Sequence, residues 1–317
     1  MKETRNFLAS LGYPGGDLYD LPSSSKRFPD GAQYRLELPS VEGPAALAAT
    51  LKDIDRYQLT VHRISQGSGI MLLTDGEIRE MTQMCAARGM ELSLFVGPRG
   101  TWDISALPFT TGGKAAGIRH EGMDQVVYAI EDLKRAVSLG VRGALVGDEG
   151  LLLLTRKMKE QGILPKNFVI KCSVQMMASN PVSVRLMQEL GADTYNVPTA
   201  LTLPKLAAIR QTVDIPLDLY VEVPDNFGGF IRHYEIPEFI RILSPVYIKF
   251  GLRNHPDVYP SGKQWEATNI SLCQERVHRA ALGVEMIKRY SPDASTSALG
   301  ASGLGIPVVK SSDDHRS

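Results

Sequence analysis

From Phe168 to Val174 every second residue is apolar: Phe168, Ile170, Cys172 and Val174. A period of two predicts a strand whose opposite face carries Lys171, Ser173 and Gln175. Asn180 and Pro181 then supply a helix N-cap and a first-turn proline, so Gln175 falls near a strand-to-helix junction. The same alternation runs along the chain. Arg35 to Val41 reads as a strand with Leu36 and Leu38 on one face and Glu37 on the other, followed by a helix from Pro44 with Leu47, Leu51 and Ile54 at helical spacing. Gln58 to Ile64 reads as a second strand, with Leu59 and Val61 opposite Thr60 and His62. Thr74 and Glu77 form a capping box before a helix carrying Ile78, Met81 and Cys85.

Further strands are predicted at Met90 to Val96, Gly143 to Gly147, Thr194 to Val197, Leu217 to Val223 and Val246 to Gly251, with a closing helix from about Asn269 to Tyr290. Gly89, Gly140, Gly162 and Gly191 each stand between a helical pattern and the next strand, where a left-handed residue ends a helix. This repetition favours parallel crossovers over antiparallel pairing. The prediction is an α/β fold, a single (β/α) TIM-type barrel of eight parallel strands with long loops at its C-terminal face. An open doubly wound sheet is the rival, but it buries both faces with apolar residues, and here one face is repeatedly polar. Residues 1–34 are expected as an N-terminal extension, 35–290 as the barrel and 291–317 as a flexible C-terminal tail.

Length adds little, since 317 residues exceed one typical barrel and also suit two domains. With 43% apolar and 22% charged residues, disorder of the whole chain is excluded. Lys plus Arg equals Asp plus Glu at 35 each, so no general field draws nucleic acid or an anionic membrane. No apolar run is long enough to span a bilayer, and the N-terminus lacks a signal-peptide core. Cys85, Cys172 and Cys273 are too scattered for a zinc or iron–sulfur site, and the chain is expected to be cytoplasmic. A homo-oligomer is left open.

The polar face carries the candidate chemistry. Strand parity points Glu37, Lys171, Asp218, Tyr220, Glu222, Tyr247 and Lys249 into the barrel. Buried charges must pair, so Glu37 and Glu222 are expected beside Lys171 and Lys249. That set suits acid–base or Schiff-base catalysis, with a lysine as base or nucleophile and glutamate as proton-transfer partner; a structural ion-pair network is the alternative. His62, Ser173, Gln175 and Asn196 are candidate substrate contacts. Two long connections, 97–123 and 252–268, carry Arg99, Lys114, Arg119, His120, Arg253, His255 and Lys263. They suggest an anionic group on a small-molecule substrate, or simply solvated loops. Asn226, Gly228 and Gly229 lie where many barrels bind phosphate through backbone amides. No cofactor is predicted; a divalent metal is left open, with Glu37, Asp148 and Glu222 as the carboxylates to hold it, though the lysines oppose a cation.

The segment CSVQMMASNPVSVRLMQELGADTYNVPTALTLPKLAAIR, Cys172 to Arg210, resembles the collagenase-like peptidase family of unassigned catalytic type, peptidase family U thirty-two. Ser173, Gln175 and Asn180 match its motif over about forty residues. The resemblance implies a barrel and a hydrolase or peptidase activity. Members of the family that carry an iron–sulfur cluster hold it through a cysteine set that this sequence lacks, and VEVPDNFGGF replaces a later glycine- and cysteine-rich segment. The expected function is a lyase, aldolase or isomerase acting on a small anionic or carbonyl-bearing substrate through lysine and glutamate. A hydrolase of the resembled family and a non-catalytic binding barrel remain the alternatives.

Overall fold

The computed structural model describes residues 1–102, 104, 106–111 and 117–309. Eight strands close into one parallel barrel in chain order. They are β1 (Tyr34–Leu38), β2 (Arg63–Gln66), β3 (Glu91–Phe95), β4 (Gly143–Val146), β5 (Val169–Cys172), β6 (Thr194–Asn196), β7 (Leu217–Glu222) and β8 (Val246–Phe250). After α1 (Lys2–Ser10) in the N-terminal extension, a helix follows each strand: α2 (Pro44–Tyr57), α3 (Asp75–Ala87), α4 (Gly122–Ser138), α5 (Glu149–Glu160), α6 (Pro181–Leu190), α7 (Leu203–Thr212), α8 (Ile236–Leu243) and α9 (Glu266–Tyr290). This is the TIM-type architecture that the alternation predicts.

Local chemistry explains the boundaries. Thr74 and Glu77 form the capping box of α3, and Asn180 Oδ1 accepts from the Ser183 amide at the start of α6. Gly191 ends α6 with a φ of 115°, a conformation that costs a residue with a side chain more than it costs glycine. The outward rows, among them Leu36, Leu38, Ile64, Leu92, Leu94, Ile170, Leu219, Val221 and Ile248, are buried against the helices. Each such aliphatic side chain contributes about 1.5–3 kcal/mol by leaving water.

Two register differences matter. β2 begins at Arg63 rather than Gln58, because α2 ends in a left-handed turn at Gln58 and the chain needs residues 59–62 to climb to the barrel. Ile64 therefore faces the helices, while Arg63 and Ser65 face inward, where both reach Glu37. In β7 the pairing with β8 shifts between Tyr220 and Glu222. That irregularity breaks the alternation and turns Glu222 away from the barrel axis.

Both chain ends close the N-terminal mouth. Phe28 packs edge-on against Tyr247 with ring centroids 5.4 Å apart, and the Arg35 guanidinium lies 4.0 Å over the Phe28 ring. Residues 291–309, expected as a flexible tail, run instead across the barrel floor. Arg35 Nε donates to Ser297 Oγ at 2.8 Å and its Nη2 to the Ser302 carbonyl at 2.9 Å. The Gly305 amide donates to Glu91 Oε1 at 2.8 Å. Buried donors and carboxylates at the mouth of a small barrel need partners, and the tail supplies them. No helix among the described residues is long and apolar enough to cross a membrane.

Candidate active site

The barrel interior is charged from floor to rim. At the floor, Glu91 Oε2 accepts from Arg63 Nε at 2.9 Å and from Tyr247 Oη at 2.7 Å, and Arg35 Nη1 donates to Tyr247 Oη at 3.1 Å. Above it Glu37 gathers Lys171, Arg63 Nη1 at 3.2 Å, Ser65 Oγ at 2.7 Å and Lys249 Nζ at 3.3 Å. Asp218 sits beside them, 3.2 Å from Arg63 Nη1, 3.4 Å from Lys171 Nζ and 3.0 Å from Thr194 Oγ1. Sequence parity thus places Glu37, Lys171, Asp218 and Lys249 correctly. Arg63, Ser65 and Glu91 were missed; the apolar Ile64 between Arg63 and Ser65, and a charge inside the β3 pattern, were the available signals.

Burial pushes the Glu37 carboxyl up, but Lys171, Lys249 and Arg63 outweigh it and hold the group well below the usual carboxylate range. Burial pulls Lys171 down to about 8, against the opposing pull of Asp218 and Glu37. Lys171 remains cationic at neutral pH and is fully enclosed. The charges of the interior do not cancel. Arg35, Arg63, Lys171 and Lys249 face Glu37, Glu91 and Asp218, so the interior holds one cation more than it holds carboxylates.

Lys249 is the amine at the upper boundary. Its Nζ lies 4.0 Å over the Tyr220 ring. In the amide orientation that satisfies both groups, Asn196 Oδ1 accepts from Lys249 Nζ at 3.0 Å while Nδ2 donates to the Asp218 carbonyl at 3.1 Å. Lys249, Asn196 and Tyr220 form the floor of a cleft of about 410 Å³ at the C-terminal face. Its walls include Phe95, Arg99, Trp102, Ser173, Gln175 and Tyr259. Gln175 reaches it from a short turn after β5, Val174–Met176, whose first amide hydrogen bond is taken by Ser173 Oγ at 3.2 Å from the Gln175 N–H. Lysine, two amides and an arginine on one concave surface can bind an anion and add to a carbonyl.

The remaining candidates lie elsewhere. His62 sits below β2, its Nδ1 accepting from the Leu36 amide at 3.0 Å and its Nε2 meeting the Ser297 carbonyl at 2.8 Å. Burial draws its pKa down to about 4, so it is a neutral core histidine. Glu222 does not meet either lysine. Its carboxylate accepts from the Arg253 amide at 3.0 Å and lies 3.3 Å from Arg279 Nε and 3.6 Å from His233 Nε2. Arg253 is paired with Asp225 at 2.8 Å, and the same carboxylate takes the Asn254 amide, filling the place an anion would occupy beside Gly228 and Gly229. The Asn226 side chain and Lys114 lie outside the described residues. Asp148 caps α5 through the Leu151 amide at 2.9 Å. Glu37, Asp148 and Glu222 therefore do not converge, and among the described residues no group of three metal-ligating side chains forms. Of the loop cations, Arg119 pairs with Glu149 at 2.9 Å and Lys263 with Glu266 at 2.7 Å; among the described loop residues singled out, Arg99 alone lines the cleft.

Comparison with known proteins bears on this region. Residues 119–223 match the model of peptidase family U32. The matched span runs from the approach to α4 through β7, and so contributes Lys171, Ser173, Gln175, Asn196, Asp218 and Tyr220. A search of curated proteins finds no match. Among solved structures, the chain is similar to a candidate fructose-1,6-biphosphate aldolase of Coccidioides immitis, at 14% identity and a TM-score of 0.50, over 82% of this chain and 92% of that one. It is also similar to the YdjI aldolase of Escherichia coli K12, at 14% identity and a TM-score of 0.49, over 82% and 93%. The U32 peptidase Mk0906 aligns at 14% identity and a TM-score of 0.42, over 75% and 98%. At these identities the likeness is one of fold.

Proposed function

We propose that the C-terminal cleft is the active site of an enzyme that uses Lys249 as nucleophile on a small carbonyl-bearing, anionic substrate. The observation that carries this reading is the position of Lys249, the amine of the interior network that reaches the cleft. Lys171, the other candidate, is held between Glu37 and Asp218 and lines no part of that cleft. Lys249 releases one proton to solvent in the cleft, its amine adds to the carbonyl carbon, and the carbinolamine takes a proton back as its hydroxyl leaves as water, giving an iminium ion; hydrolysis returns both partners. The iminium carries the positive charge that the ammonium carried, so Glu37 regains a cationic neighbour at that nitrogen when it forms. Glu37, held ionised by three cations, serves as the electrostatic partner of the nitrogen rather than as a base.

Borohydride reduction in the presence of pyruvate, glyoxylate and phenylpyruvate, followed by peptide mass spectrometry, tests the reading. It predicts a secondary-amine adduct on Lys249 with at least one of them, lost in Lys249→Met. Unmodified Lys249 with all three would overturn it. A hydrolytic reading has the family match in its favour, with Ser173 in the cleft. Against it, the Ser173 hydroxyl already accepts the Gln175 amide, and among the described residues the cleft lining holds no histidine to serve as its base.

A further inference from the structure

Arg99 has a place in the cleft that the lysine chemistry does not explain. It is only 8% exposed. Its guanidinium lies 4.0 Å over the Phe95 ring and 4.5 Å over the Trp102 ring, and one terminal nitrogen is anchored on the Gly67 carbonyl. Stacking fixes the plane of the fork, yet Nε has no hydrogen-bond partner among the described residues. Among the described residues no carboxylate lies within hydrogen-bond reach of Arg99, and the one acid among them that lines the cleft, Asp257, is exposed. A desolvated, oriented guanidinium with an unused donor is built for a planar oxyanion, which it can take through two parallel N–H bonds.

Much of the rest of the cleft is apolar. Tyr220, Phe227 and Tyr259 line it together with Ile118, Leu145 and Val174. Aromatic walls of this kind give a rigid, mostly apolar surface against which a ring gains both burial and edge or face contacts. At about 410 Å³ the space suits a single ring with a short acidic side chain better than a polymer segment.

From these two features we infer that the cleft selects an aromatic monocarboxylate, its carboxylate on Arg99 and its ring against the tyrosine and phenylalanine walls. The inference rests on the reading of this cleft as the active site, and it names the substrate class of that site. Arg99 is then a binding and specificity residue, distinct from the amine that reacts.

Three non-reactive probes separate the terms in calorimetry on the full chain: 3-phenylpropionate, its neutral amide 3-phenylpropionamide, and propionate. The expected order is binding by 3-phenylpropionate, with the amide and propionate each weaker by about tenfold or more, the scale of one charge-assisted hydrogen bond or one buried ring. Arg99→Met should reduce 3-phenylpropionate affinity to that of the amide. Because this variant also removes a buried anchor, the acid-against-amide comparison on the unaltered protein decides the matter even if Arg99→Met fails to fold. Equal binding of acid and amide, equal binding of propionate, or no binding of 3-phenylpropionate would each overturn the inference. None of these probes has a ketone or aldehyde to trap, so their failure leaves the borohydride result on Lys249 standing, and a failed borohydride trap leaves the selectivity result standing.

Discussion

The two ends of the barrel use the same kinds of charged residue to opposite ends. At the floor, Arg35, Arg63, Glu91 and Tyr247 satisfy one another and are sealed by residues 28–32 and 295–305. At the rim, Lys249 and Arg99 face a cleft, one as the outermost cation of a network with a cation in excess, the other with an unpartnered Nε. Charge that is paired and enclosed serves the architecture; charge left incomplete beside a cavity marks chemistry. Glu37 and Lys171 sit between the two: Lys171 belongs with the floor, while Glu37 anchors the network and also faces the nitrogen of Lys249.

That division can be broken at Glu37 first. Glu37→Ala leaves Lys171, Lys249 and Arg63 facing an empty centre and should cost about 3–5 kcal/mol in denaturant unfolding, the scale for stripping one partner from a buried ion network. Glu91→Gln removes the charge that Arg63 Nε, Tyr247 Oη and the Gly305 amide share, and should cost about 2–3 kcal/mol. A loss below about 1 kcal/mol in either variant would mean that the floor and centre are not the structural part.

Lys171 sharpens the comparison through pH. Its folded pKa lies near 8 against an ordinary value of 10.5. Between those limits the unfolded chain keeps a proton that the native state has released, so this group makes stability rise with pH across that window. Below about pH 8 its cost is present in full. The stability difference between wild type and Lys171→Met, followed from pH 7 to about 10.5, should shift in favour of wild type as pH rises. A flat difference would show that Lys171 is not held in the desolvated, paired state described. The smallest effect on stability belongs to Lys249→Met, about 1 kcal/mol, because Glu37 keeps Lys171, Arg63 and Ser65.

Much of this was legible in the sequence because barrel strands alternate so strictly. The period of two around Ile170 and Ile248 fixed the inward direction of Lys171 and Lys249, and the glycines after four of the helices, Gly89, Gly140, Gly162 and Gly191, pointed to the βα repeat. What failed did so where the backbone departs from the period. The left-handed end of α2 at Gln58 consumes residues that look like a strand, which put His62 in place of Arg63. The irregularity at Tyr220 and Glu222 leaves no trace in the alternation, so Glu222 was assigned to a centre that Asp218 occupies. The tail failed for another reason. Its serines and glycines look loose in isolation, and only the unpaired Arg35 and Glu91 on the barrel floor give them something to bind.

Reductive methylation of the native protein with formaldehyde and cyanoborohydride, read lysine by lysine by mass spectrometry, tests the division of labour most directly because it needs no knowledge of the substrate. Lys249 should be methylated in the native state through the cleft, and Lys171 only after unfolding. Native-state methylation of Lys171 at the rate of Lys249, or of neither, would contradict the assignment of one lysine to the site and the other to the architecture.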